Sequence, residues 1–216
     1  LRKQIPLDDS LMNDNGLLPM VNACEVIDCG KYPVVTLDNR AAAKAMTRHL
    51  IEFGHTRIAM IKGPDSSPLT QDRLLGYKDA LREANLPFNE NLLFPGDFTL
   101  QAGYKAGADI AKIDEKLRPT AVFCENDETA IGTIQAFKQV GMRVPDDISV
   151  AGFDDIAFSA FCDPPLTTIA QPAEEFGRTA VTLLVDVLNG KTRKAPKVIM
   201  PFELITRQST GPVKTM

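Results

Sequence analysis

The chain is 216 residues long, 44% hydrophobic and 24% charged, with a net charge of −4 and a sequence pI of about 5.3. That length can bury a sizeable core in one large domain or two modest ones. The acidic balance, with Lys and Arg scattered and not striped, excludes a surface that itself grips nucleic acid. No apolar run is long enough to span a bilayer, and no signal peptide is visible.

In chain order, the start "LRKQIPLDDSLMNDNGLLP" has no tidy domain beginning and reads as a segment cut from a longer chain. "PVVTL" (33–37) is a short β-branched run. Asp38 or Asn39 caps a helix through "RAAAKAMTRHLIEF", where Ala42, Met46, Leu50 and Phe53 recur at helical spacing and Gly54 stops it. "RIAMIKG" (57–63) is a strand, and Gln71 to Asn85 is a helix with Thr70 as its cap. "LLFPGDF" (92–98) is a strand broken by Pro95-Gly96, after which Thr99 caps the next helix. "TAVFCE" (120–125) is a strand, with Asp127 capping "ETAIGTIQAFKQV". "ISVAGF" (148–153) and "TTIAQ" (167–171) are further strands. Pro172 opens a helix to about Leu188, and "KVIMPFELITRQS" holds one or two final strands.

Continuous apolar strands imply sheets covered on both faces, and strand–helix alternation implies right-handed crossovers. The expected fold is α/β, with doubly wound parallel sheets. Ligands of such sheets bind beyond the carboxyl ends of the strands. Those ends carry Asp38-Asn39, Asp65-Ser66-Ser67, Asp97-Phe98, Glu125-Asn126-Asp127 and Asp154-Asp155. Most of these are ordinary N-cap residues.

Four exceed that explanation. Arg73 sits where a helix start already carries partial positive charge, so its guanidinium has another target. Phe98 is an aromatic in a polar loop. Asn126 and Asp127 cannot both cap one helix, and Asp154 stands beside Asp155 in the same relation. An arginine, a ring, an amide and carboxylates around one crevice suit a small polar ring that stacks and presents hydroxyls.

Catalytic signals are missing: there is no GxSxG, no GxGxxG after the first strand, and no GxxxxGK. His49 and His55 have no carboxylate at metal-ligand spacing and read as structural. No cofactor or metal is expected. Cys24, Cys29, Cys124 and Cys162 include no CxxC pair, so free thiols in a reducing cytoplasm are the reading.

The stretches "GHTRIAMIKGP", "RLLGYKDAL", "GDFT", "RPTAVFCENDETAIG", "VPDDISVAGFDDI" and "PPLTTIAQP" resemble, in order and spacing, the effector-binding part of the lactose/galactose-repressor family. The resemblance runs from Pro33 to Ser209. It implies the two-lobed fold of periplasmic sugar-binding proteins, an effector in the interlobe cleft, and no enzyme activity. By motif, Arg73 matches the arginine that binds effector hydroxyls and Phe98 the ring that stacks on the effector. Asn126 and Asp154 match polar pocket residues, and Ser67 and Leu69 its lining loop. Relatives often carry an aspartate after "PMVNA"; here Cys24 stands there, with Glu25 as a substitute beside it.

"SPLTQDRLLGY", "GDFT" and "FCDPPLTTIAQP" are most similar to nucleoside-responsive members, which implies cytidine as effector. The resemblance further implies a homodimer that meets operator DNA only through a helix-turn-helix domain absent from this chain. It assigns 1–37 and 170–202 to an incomplete first lobe, and 38–169 and 203–210 to a complete second one. An exported sugar- or nucleoside-binding protein for transport is the alternative with the same fold.

Overall fold

In the computed structural model, the structure describes residues 19–24, 32–191 and 196–214. Its elements, in chain order, begin with β1 (Asn22–Ala23), β2 (Val34–Leu37), α1 (Asn39–Glu52), β3 (Ile58–Ile61) and α2 (Pro68–Glu83). A 3-10 turn (Glu90–Leu92) leads to β4 (Leu93–Phe94), then α3 (Leu100–Ala111), β5 (Ala121–Cys124), α4 (Asp127–Gln139) and β6 (Ser149–Ala151). A second 3-10 turn (Ala157–Ala160) precedes β7 (Thr168–Ala170), α5 (Ala173–Leu188), β8 (Lys197–Met200) and β9 (Glu203–Ile205).

The chain divides into two compact units. The smaller comprises the described parts of Leu1–Leu37 and Pro172–Pro201. Its sheet is parallel, in the order β1-β2-β8, and α5 packs on β1 and β2. β2 is buried along its whole length, whereas α5 leaves Val181, Val185 and Leu188 exposed.

The larger unit, Asp38–Gln171 with Phe202–Met216, is built on a parallel sheet in the order β4-β3-β5-β6. β3, β5 and β6 are buried at every residue, as their unbroken apolar runs require. α1 packs against α2 and α3 against α4. With right-handed crossovers, the order puts α2 on one face and α3 and α4 on the other. Phe137, Ile131 and Ile110 of the second helix pair bury Val122, Cys124 and Val150 of the sheet in one core. Complete burial pushes the Cys124 thiol up to about 12, so it is an inert packing group. β7 and β9 form an antiparallel ribbon, the one departure from parallel pairing among the described strands.

Several sequence expectations shift. α2 begins at Pro68, not Gln71, and its N-cap is Ser67, whose side chain makes no capping bond. Thr70 is therefore inside the helix and is not the cap, and Arg73 stands beyond the first turn. Proline at N1 explains the earlier start, because its fixed φ and missing N–H suit that position. α4 is capped by Asn126, whose Oδ1 accepts from Thr129 N at 3.1 Å, and Asp127 is its first helical residue. "LLFPGDF" keeps only two strand residues, because Pro95 cannot donate to a ladder. Asp38, Thr99 and Pro172 stand at helix starts as expected.

Both histidines are buried. His55 Nδ1 meets Thr120 Oγ1 at 2.9 Å, and its Nε2 meets Ser149 Oγ at 3.1 Å and Gly211 O at 3.0 Å. One ring thereby ties the amino ends of β5 and β6 to the C-terminal segment. The neutral imidazole with Nε2–H satisfies all of these contacts. Burial lowers the affinity of both His55 and His49 for a proton. The unfolded chain protonates near pH 6.5, so the stability that neutral His55 contributes is present above that pH and is lost as pH falls below it. His55→Gln should cost about 1–2 kcal/mol at neutral pH and should flatten the acid side of the profile. Urea unfolding on both sides of pH 6.5 checks this; an equally steep acid loss in the variant would assign the proton to another group.

Candidate functional site

Strand order reverses between β3 and β5: the chain leaves β3 toward one face and β5 toward the other. Open α/β sheets bind ligands beyond the carboxyl ends of the strands at such a point. The residues that gather there come from five chain segments.

Arg73, on α2, is 4% exposed. Its Nε donates to Asn39 Oδ1 at 3.0 Å, and Nη1 donates to the backbone carbonyl of Glu125 in a short hydrogen bond. Its guanidinium lies 3.7 Å from the centroid of the buried Phe153 ring, and Nη2 is 3.9 Å from Asp154 Oδ1. A buried guanidinium is tolerated only when its donors are met and its charge is compensated. Here a capping-region amide, a strand-end carbonyl, an aromatic face and a carboxylate do so together. These contacts together fix the orientation of the guanidinium.

Phe98 is buried, and its backbone is at φ 67. The ring lies flat against Gly63, just beyond β3, where a Cβ would overlap it. Asn126 pins that loop, since its Nδ2 donates to Phe98 O at 2.9 Å while its Oδ1 caps α4. The capping amide was expected to be released by Asp127; instead it does both jobs and is 2% exposed. Asp154 is at φ 114 and Asp155 at φ 54. Left-handed backbone at Phe98 and Asp154 costs energy in non-glycine residues and clusters at functional sites. Asp154 Oδ1 accepts from Gln171 Nε2 at 2.6 Å, and Asp155 pairs with Arg207 at 2.7 Å.

Ser67 and Leu69 are both buried at the start of α2. Glu25 lies outside the described residues. The structure thus brings together Arg73, Asp154 and, through Gly63 and Asn126, Phe98; Ser67 and Leu69 border them in sequence on α2.

Two groups were missed by sequence reasoning. Asp127, the presumed cap, is a buried hub: its carboxylate accepts from Ser159 Oγ and Thr168 Oγ1 at 2.6 Å each and from Ile156 N at 2.9 Å. Burial raises it to about 6 against the pull of those three donors. Glu125 was passed over as one of a string of strand-end polars. It is 1% exposed, and its Oε2 accepts from Gly63 N at 3.0 Å, bridging the ends of β3 and β5. A carboxylate set directly against the apolar run "AVFC" was the available signal.

Among the described residues no group of three or more His, Cys, Asp or Glu is placed to hold a metal, and no helix is long and apolar enough to cross a membrane.

A periplasmic binding protein-like domain model matches residues 47–210. A LacI-family regulatory protein from Chloroflexus aggregans superposes with a TM-score of 0.81 at 30% identity, covering 90% of this chain and 69% of that one. The chain belongs to the LacI family of transcription regulators and carries its periplasmic-binding-protein-like domain. It is 42% identical over 210 residues to the HTH-type transcriptional repressor CytR of Escherichia coli K12, spanning 97% of this chain and 61% of the repressor. The HTH-type transcriptional repressor PurR of Aliivibrio fischeri MJ11 is 39% identical over 200 residues, 93% of this chain and 59% of its own. The chain therefore spans about three fifths of the length of these curated relatives. A LacI-family regulator from Enterococcus faecium, solved with bound ribose, aligns at 31% identity and a TM-score of 0.78, covering 84% of this chain and 67% of its own.

Gly63→Ala tests the seating of Phe98. The added methyl must displace the ring, and overpacking of this kind costs about 1–3 kcal/mol. Denaturant unfolding should show that loss, and an unchanged midpoint would mean that the ring is not packed on Gly63.

Proposed function

We propose that the chain is the effector-sensing part of a transcriptional repressor, and that the effector is a nucleoside, cytidine. The observation that carries this reading is the buried, pre-positioned Arg73 at the switch point of the larger unit's sheet. A guanidinium presents a planar fork of donors, which suits a pair of ribose hydroxyls. Phe98 supplies the ring that stacks, Asn126 and Asp154 the polar contacts, and Ser67 and Leu69 the border. The 42% identity to CytR and the ribose-bound relative support a furanose-bearing ligand.

In the whole protein, effector binding favours one arrangement of a homodimer over another. DNA affinity then changes by a coupling of about 1–3 kcal/mol. Contact with the operator runs through a helix-turn-helix reader of the kind named in the relatives, and the protein works in the cytoplasm. No step of bond making is involved, and the chain is not an enzyme.

Calorimetry with cytidine, adenosine and ribose on the full-length protein tests the sensor. Arg73→Ala should weaken the bound ligand roughly 10- to 150-fold, the loss of about 1.5–3 kcal/mol expected for a charged donor. Arg73→Lys should recover little of this, because an ammonium cannot replace the fork. Absence of binding by all three ligands would overturn the sensor reading, and unaltered affinity in Arg73→Ala would move the site elsewhere.

A further inference from the structure

Consecutive residues at the end of β5 hold one aromatic ring, each in its own way. Asn126 Nδ2 donates to the main-chain carbonyl of Phe98 at 2.9 Å and so fixes the left-handed backbone that carries the ring. Glu125 works through the surface on which the ring rests. Its Oε2 accepts from Gly63 N at 3.0 Å, and the Phe98 ring packs on Gly63. The packing is close: a Cβ on Gly63 would lie 2.1 Å from Cζ of Phe98 and 2.4 Å and 2.6 Å from its two Cε atoms. A shift of the Gly63 backbone therefore moves the ring.

The main chain does little else to hold Gly63. Pairing along β3 ends one residue earlier, where Lys62 N donates to Phe94 O at 2.9 Å, and Pro64 has no N–H to give. The next main-chain bond is from Ser67 N to Pro64 O at 3.0 Å. The Gly63 N–H is thus met by a side chain from another strand. Glu125 itself is 1% exposed, so it does not face a ligand, and its influence on the site passes through Gly63.

We propose that Glu125 is a specificity-determining positioning residue: by holding Gly63 it sets the placement of the Phe98 ring, which reads the base of a nucleoside while Arg73 holds the ribose. This rests on the effector reading of the site and names the part of the effector that Glu125 controls.

A base offers a π-face for stacking, and free ribose has none. Loss of the bond to Gly63 should therefore weaken nucleosides and spare ribose. Burial pushes the Glu125 carboxyl up to about 7 against the pull of Arg73, Gly63 N, Thr70 and Lys62, so a neutral amide is a close substitute for it. In Glu125→Gln the amide oxygen still accepts from Gly63. Thr70 Oγ1, which lies beside the carboxyl without a hydrogen bond of its own, takes the amide N–H.

The test is calorimetry on the full-length protein with cytidine, adenosine and ribose. Glu125→Ala should weaken both nucleosides roughly fivefold to tenfold, part of what one base–aromatic stack contributes, and leave ribose within about twofold. Glu125→Asp is one methylene too short to reach Gly63 and should do the same, which keeps the test open if Glu125→Ala does not fold. Glu125→Gln should return both nucleosides to within about twofold of the wild type, because the acceptor is kept. Phe98→Leu keeps an apolar side chain over Gly63 but removes the aromatic face. Added to it, Glu125→Ala should cost no further nucleoside affinity, as expected of a residue that acts only through the ring. Equal losses for ribose and nucleosides, or no loss in Glu125→Ala or Glu125→Asp, would overturn this inference and leave the effector reading standing. The same holds if Glu125→Gln fails to restore binding, if the loss persists alongside Phe98→Leu, or if the wild type binds ribose as tightly as cytidine. If none of the three ligands binds, both fall.

Discussion

The larger unit depends on satisfying a guanidinium out of water. Moving Arg73 into the protein is affordable only because a carbonyl at the end of β5, an amide at the start of α1, a ring beyond β6 and a carboxylate all meet it. Each of those groups is at the carboxyl end of a strand or the amino end of a helix. Arg73 therefore links α1, α2, β5 and the β6 loop at the carboxyl end of the sheet, where the strand order reverses. A lysine would offer neither the fork nor the stacking plane.

The amino end of the same sheet is secured differently. There a neutral histidine, His55, collects two hydroxyls and a carbonyl without carrying charge. The strained polar loops lie at the carboxyl ends of the strands, where a sheet scaffold most often places binding residues. The strain is local: Phe98, Asp154 and Asp155 hold left-handed backbone within the rim. Asp127 supports it by gathering the Ile156 amide and two hydroxyls onto one carboxylate.

The candidate site was partly legible in the residues. Arg73 stood out because no helix start benefits from it, and Phe98 because a ring has no place in a polar loop. The reasons were incomplete in both instances. Arg73 proved to lie a turn deeper, since Pro68 starts the helix earlier. Phe98 proved to be buried on Gly63, which no local pattern states. Asn126 and Asp127 were exchanged as caps, because either side chain can accept an N-terminal amide and only the surrounding donors decide between them.

The sequence alone determined the α/β class, the order of its helices and strands, and the polar strand ends, because these follow from apolar periodicity, caps and chain direction. Tertiary structure alone decided which polar groups meet. Glu125 and Gly63 are 62 residues apart and Arg73 and Glu125 are 52 apart, yet each pair is bonded. Hydrogen bonds of that span are set by strand order and crossover hand, and the burial that raises Glu125 exists only once the sheet has closed over it.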